Sequence, residues 1–353
     1  MAGDKYVAYV STYTMKDDDI GIHTYDVDTK RGGLIEKDSV SITNSSYLTI
    51  SHNRKYLYAI TDMGVEAFVI LEDGCLRLLN KASINGMRGC YLSTDYDDKF
   101  LFIAGYHDAK ITCMRLNDDG SVGEIADEVF HTGLGSVVER SFRPHVSCVK
   151  MTRDNKFLCA ADLGMDQVKV YSLDHKSGRL KLVDMIHCTQ DSAPRYIKFH
   201  KSGKFAYVIH ELGNCIDVYS YECINDMPMF NRIQTISTLN ENYHTAGCIS
   251  CAMKFNADHK LLLCTSAGDN NVCVFSINQK TGELTKKLVL PVSGDYPKDV
   301  AIFPDSQYIA SLNHESDTVT FFNLNLEKNI IVMNGPAIKV KKGNCIIMKK
   351  LQG

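Results

Sequence analysis

Apolar and polar residues alternate with a period of two along most of this chain, and the alternating runs come in a repeated order. A turn is followed by Lys or Gln, then an aromatic residue or Leu, a short apolar run, a polar break and a second alternating run. The order recurs as DKYVAYVSTYT, NRKYLYAITD, DDKFLFIAGYHDAKITCMRL, DNKFLCAADLGMDQVKVYSL, SGKFAYVIHELGNCIDVYSY, DHKLLLCTSAGDNNVCVFSI and DSQYIASLNHESDTVTFFNL. These seven copies are anchored at Lys5, Lys55, Lys99, Lys156, Lys204, Lys260 and Gln307, with spacings of 50, 44, 57, 48, 56 and 47 residues. Each is rich in Val, Ile, Tyr and Phe, and amphipathic helical spacing is hard to find anywhere, so each unit is expected to be a small antiparallel sheet.

A second signature supports strands joined by tight hairpins. DVDTKRGGL, LNDDGSVGEI, LDHKSGRL and INQKTGEL set a Gly between the outer two strands of a unit, where a hairpin turn asks for positive φ. About four strands in some 50 residues, repeated seven times, predicts an all-β, seven-bladed β-propeller. The chain opens directly on KYVAYV, without the SYLTIS-type strand that precedes other copies, and ends in GNCIIMKK, which is similar to that missing strand. The first blade is therefore expected to be closed by the C-terminal strand, which removes two exposed sheet edges. Linkers and low-complexity segments are absent, so residues 1–353 are read as a single propeller domain. The wide spacings around 118–147 and 222–247 are expected to be long loops or hairpins on one face.

Composition narrows the function classes. The chain is 44% apolar and 23% charged, with a formal net charge of −3 and no long basic run. Nucleic acid is not an expected partner, since phosphate binding needs clustered Lys and Arg; the lysines of KVKKGNCIIMKK read as a solvated strand edge. No basic segment followed by an apolar core opens the chain and no run approaches spanning length, so no membrane partner and a cytoplasmic location are expected. Thirteen cysteines in a long chain, several of them inside apolar runs, read as reduced buried thiols. Cys248 and Cys251 form one CxxC without the second pair of a zinc ribbon.

Motifs exclude more than they assign. His210-Glu211 begins like a zinc-protease pattern, but Asn214 stands where the second ligand belongs and the flanking alternation is that of a strand. HTGLGSVVERS lacks the spacing of a dinucleotide fingerprint. No metal site and no cofactor are expected. WD40 and kelch blades fit poorly, for the chain has no Trp and a single Gly-Gly doublet, Gly32-Gly33.

VSTYT with DIGIHTYDVDTKRGGL, NSSYLTISHNRKYLYAITD, RPHVSCVKMTRDNKFLCAADLGMDQVKVY, APRYIKFHKSGKFAYVIHEL and the final GNCIIMKK together resemble the lactonase propeller family, which includes bacterial 6-phosphogluconolactonases and fungal muconate-lactonizing relatives. The resemblance runs nearly end to end and implies a polar cleft at one mouth of the central channel. For the phosphogluconolactonase branch it implies hydrolysis of a phosphosugar lactone. Pro194, Arg195 and Glu211 match the family's pattern, while Tyr196 stands for a histidine and His210 for an asparagine. Arg140, Pro144 and His145 match as well, with Ser141 and Ser147 as replacements, and Asp162 to Asp166 keeps its Asp-Leu-Gly-x-Asp form. Ser266-Ala267 replaces an Asn-Arg pair, Ala252 a carboxylate, Lys298 an arginine and Tyr91 a histidine.

Opening a lactone needs an aimed water, a base for its proton and a cation or donor for the oxyanion. Glu211 is the expected base, because it follows an inner-strand run and would project at a channel mouth; His145 is the alternative. Arg195 and Arg143 are expected to meet phosphate or oxyanion, with Arg140 and Lys298 as further positive charge. Tyr106 is expected to orient a sugar hydroxyl, and Tyr196 to line the substrate site. Two plainer readings stand beside these: Arg195 and Glu211 as a structural ion pair, and Asp162 with Asp166 as turn braces. Two function classes follow. One is a 6-phosphogluconolactonase-like hydrolase of a sugar lactone, with or without a phosphate; the other is a non-catalytic propeller whose mouth binds a sugar derivative or a protein partner.

Overall fold

The computed structural model describes residues 4–14, 20–135, 142–240, 247–328 and 330–351. Among them there is no helix, and so none long and apolar enough to cross a membrane. The strands form seven antiparallel sheets. Five follow the chain in simple order from an inner strand outward; in the seventh blade the outer edge is split, with Ile330–Met333 and Ile338–Lys339 both pairing with Thr318–Asn325. The first blade takes its inner strand from the C-terminus: Gly343–Lys350 pairs with Tyr6–Thr12, as the missing opening strand predicted.

Each inner strand touches the inner strand of the next blade, and that of the seventh, Pro297–Ile302, touches Gly343–Lys350, which closes the ring. The core consists of layers between successive blades. Ala8 and Val10 of the first blade pack with Ala310 and Leu312 of the seventh, and Tyr207 and Ile209 of the fifth with Leu262 and Cys264 of the sixth. Middle strands are thus buried on both faces, which is why FLFIAG and FAYVIH read as nearly unbroken apolar runs. Outer strands such as Leu76–Ser83 alternate between partly covered and exposed positions.

The repeat's aromatic-glycine signature is an inter-blade lock. Gly32, Gly120, Gly178 and Gly282 all have positive φ. A ring from the preceding blade lies on each: Tyr308 on Gly32, Tyr56 on Gly120, Phe100 on Gly178 and Phe205 on Gly282. Two further tyrosines, Tyr58 and Tyr207, donate their hydroxyls to the carbonyls of Gly120 and Gly282 at 3.1 and 2.8 Å. At Gly120, φ is 83° and a Cβ would lie 2.4 Å from the Tyr56 ring. Backbone strain and the displaced ring together set an expected cost of about 2–4 kcal/mol for Gly120→Ala. Chemical denaturation measures it, and a change within about 0.5 kcal/mol would show that the turn and ring do not lock the blades.

The wide spacings hold hairpins, one of the two forms expected of them. Val122–Phe130 and Met227–Ser237 are outer strands, the second turning tightly through Asn225 and Asp226, both at positive φ. The connections that remain run from an outer strand to the next inner strand. All thirteen cysteines are free.

Candidate functional site

Five inner strands begin with the same irregularity. One residue is left out of the pairing register at Asn344, Ser147, Arg195, Cys251 and Lys298, a bulge that redirects its side chain at one mouth of the channel. Several of these side chains stitch one blade to another. Lys298 donates to Asn344 at 2.6 Å, Asn344 to the carbonyl of Ser45 at 2.9 Å, and Ser147 to the carbonyl of Arg195 at 2.8 Å. Arg195 forms an ion pair with Glu211 instead.

Glu211 lies in the turn after Phe205–His210, the second strand of the fifth blade and not the inner one, and is 2% exposed. That turn is tied to the lead-in of the inner strand: Glu211 N–H donates to Ala193, and the N–H groups of Leu212 and Gly213 to Ser192. From the fourth blade, the Asp166 carboxylate accepts the N–H groups of Asp191 and Ala193, each at 2.7 Å. Asp162 accepts the N–H of His145 at 2.8 Å and bonds His131 at 2.6 Å. Both aspartates therefore brace backbone, in line with the plainer reading, and what they brace is the approach to Arg195 and His145.

A cavity of about 330 Å³ occupies this mouth. Arg195, Glu211, Tyr196, Tyr106 and Lys298 line it together, although they come from three blades. Tyr47 and Tyr196 form its floor, with Tyr91 packed against both from below. Tyr47, Tyr91 and Tyr196 occupy matching places in the second, third and fifth blades, with ring centroids 4.4 and 5.4 Å apart. Burial raises the pKa of all three phenols, so they stay neutral hydrogen-bonding groups.

The positive side of the cavity is larger than the sequence reading had it. Arg88 also lines it, paired with Asp62 at 2.9 Å. The Tyr13 ring is shared by two cations, the Arg88 guanidinium at 4.9 Å and the Lys298 ammonium at 4.8 Å. Arg88, Arg195 and Lys298 thus line the cavity with Glu211 as its one carboxylate among the described residues. Burial, with Arg195 and Arg88 nearby, lowers the Lys298 pKa to about 8. Arg88, Tyr13 and Tyr296 were not singled out from sequence. A usable signal existed for Arg88, a charge just ahead of the inner-strand motif in MRGCYLS, as Arg195 is in PRYIKF.

Other expected residues stand apart from the cavity. His145 is buried behind Tyr106, its ring stacked on the tyrosine at 4.2 Å and 16°, and it is not part of the lining. Its Nδ1 lies 2.8 Å from the Tyr106 carbonyl, an acceptor only, so Nδ1 carries the proton. Burial lowers its pKa, which keeps the ring neutral. Arg143 is exposed, over the Phe142 ring at 5.7 Å, and does not line the cavity. Arg140 lies outside the described residues. Ala252 sits in the narrow waist beneath the cavity, and Ser266 is buried with its hydroxyl unbonded.

Comparison with known proteins agrees with this architecture along the whole chain. A Bacillus subtilis (strain 168) protein named 6-phosphogluconolactonase is 29% identical over 348 residues, covering 97% of this chain and 98% of its own. A protein of the same name from Formosa agariphila is 28% identical over 334 residues, covering 90% and 92%. The solved structure of a periplasmic gluconolactonase from Pseudomonas aeruginosa superposes with a TM-score of 0.90 over 99% of this chain and 100% of that one, at 22% identity, a likeness of fold. The family model described as lactonase, 7-bladed beta-propeller, matches residues 7–348, and with that match the chain belongs to the lactonase propeller family.

Proposed function

We propose that this protein hydrolyses a sugar lactone that carries a phosphate, a substrate of the kind named for its 6-phosphogluconolactonase relatives. The observation that carries this reading is the convergence of Arg88, Arg195 and Lys298 with the single carboxylate of Glu211 on one cavity. Arg88 and Arg195 each hold one carboxylate, Asp62 and Glu211, while Lys298 bonds the neutral Asn344 amide; the balance is positive and favours an anionic ligand, and guanidinium groups match phosphate oxygens well. The tyrosines supply hydroxyls and flat faces for a sugar ring.

In this reading a water attacks the lactone carbonyl and loses its proton to Glu211. Arg195 meets the oxyanion as it forms, and as the intermediate collapses the ring oxygen leaves and recovers that proton, giving the open acid. The net change is the addition of one water. An anionic group that draws on Arg195 weakens its hold on Glu211 and leaves the carboxylate freer to meet the water. Lys298 and Arg88 hold the phosphate. His145, set behind Tyr106 with its Nδ1 proton on the tyrosine carbonyl, acts as a positioning residue and not as the alternative base expected from sequence.

Binding of the open products tests the anion clamp. At pH 7, 6-phosphogluconate is expected to bind about 10–100-fold more tightly than gluconate, the worth of one or two charged hydrogen bonds. Lys298 is charged below its pKa of about 8 and loses the charge above it. The phosphate's advantage should therefore shrink as pH rises from 7 to 9. Calorimetry measures both effects; equal affinities at pH 7 would contradict the clamp.

A further inference from the structure

Below the tyrosine floor the channel narrows to a waist with only about 10 Å³ of free space, room for a water, with Lys198 and Lys254 in its lining. Lys150, Lys198 and Lys254 stand three residues beyond the bulged positions Ser147, Arg195 and Cys251, so three successive blades present an ammonium at one level of the channel. Lys254 is satisfied: it pairs with Asp299 at 3.0 Å. Asp299 is committed further, accepting the N–H of Ile346 at 2.9 Å. Lys150 and Lys198 are half-buried and make no hydrogen bond or ion pair with the described residues.

The inner strands that carry them end at two more cations. Arg153 follows Val146–Met151 and Lys201 follows Pro194–Phe199, and both line an open groove of about 550 Å³. The Arg153 Nε is buried without a partner, and its guanidinium lies 5.3 Å from the Tyr96 ring. Asp154 and Glu222 are the carboxylates of this groove, and Asp154 already accepts the Tyr221 hydroxyl at 2.8 Å. Nearby groups register the excess of positive charge. Burial first, then repulsion from Lys254 and Lys150, brings the Lys198 pKa down to about 8, and burial with Arg153 does the same for Lys150. His259 falls to about 3, through burial and the charges of Arg153, Lys201 and Lys198.

Half-buried ammonium groups with no direct ion pair are costly, and with the nearby Asp299 already paired to Lys254, two of them on adjacent blades are matched to a ligand that supplies further negative charge. We propose that this end of the channel is a second anion site, in which Lys150 and Lys198, with Arg153 and Lys201 at the rim, take a small dianion of the phosphate class. It lies on the far side of the tyrosine floor from the lactone cavity, and it does not depend on the reaction proposed there.

Thermal melts in inorganic phosphate, against chloride at equal ionic strength, test it. Phosphate at about thirty times its dissociation constant should raise the melting temperature of the wild-type protein by about 2–4 °C beyond chloride. Arg88→Met with Lys298→Met, which removes the phosphate clamp of the lactone cavity, should keep a rise, and in that background Lys150→Met with Lys198→Met should lose it. Should the combined variant not fold, Lys198→Arg should keep the response and Lys198→Gln should cut it several-fold. A rise no larger than in chloride overturns the proposal, and so does a phosphate response that vanishes in Arg88→Met with Lys298→Met while surviving removal of Lys150 and Lys198.

Discussion

Glu211→Gln is expected to lower lactone turnover by about two to four orders of magnitude, the scale of a lost general base. Gln keeps the size and the hydrogen-bonding shape of the side chain but accepts no proton at neutral pH. The fall should appear in kcat, with KM little changed. Arg195→Ala should behave differently. It removes the cation that meets the oxyanion and lowers the positive charge of the cavity beside Arg88 and Lys298, so it should lower kcat and also weaken the phosphorylated substrate, raising KM. Each change also breaks a buried ion pair: the Glu211 side chain is 2% exposed and that of Arg195 19%. A structural pair alone would lose stability on either substitution. The catalytic reading requires more, a Glu211→Gln protein that melts as a folded protein and binds 6-phosphogluconate yet turns over slowly. Full activity in that variant would remove Glu211 as the base.

Deleting residues 343–353 should leave no cooperatively folded protein. The segment provides the inner strand of the first blade, with Cys345 and Ile346 almost wholly buried. Its Asn344 side chain is bonded to Lys298 of the seventh blade and to Ser45 of the second. Several buried apolar side chains, each worth about 1.5–3 kcal/mol, and one edge of the ring are lost together. That total rivals the roughly 5–15 kcal/mol by which a domain is stable. A truncated chain melting within a few degrees of the full one would show that the ring holds without its closing strand.

Much of the fold could be read from the sequence because its causes are local. Middle strands buried on both faces leave apolar runs, and the glycine turns that receive a neighbour's ring leave their own mark, as at Gly120 and Tyr56. Closure showed as a strand missing at one end and present at the other. Outer strands were harder: in VGEIADEVF the exposed side is charged, so the segment was expected to be loop or hairpin. Within the site, Arg195, Glu211, Tyr106, Tyr196 and Lys298 were named from sequence and do share a cavity. Arg88 and Tyr13 were not, because only ring closure sets residues of the third and first blades beside Lys298 of the seventh. His145 was named, but the stacking of Tyr106 over it depends on two turns whose meeting no local pattern records. The bulges were equally silent, since an unpaired residue looks like any other in a list of letters.

The central claim is that this mouth opens a phosphorylated sugar lactone, and the rate of that reaction tests it most directly. Freshly prepared 6-phosphogluconolactone should disappear in the presence of the purified protein well above its spontaneous rate, in proportion to protein concentration, and Glu211→Gln should return the rate close to the spontaneous one. A wild-type protein that binds 6-phosphogluconate but leaves the lactone to hydrolyse at the spontaneous rate would contradict the account and mark the cavity as a binding site without catalysis.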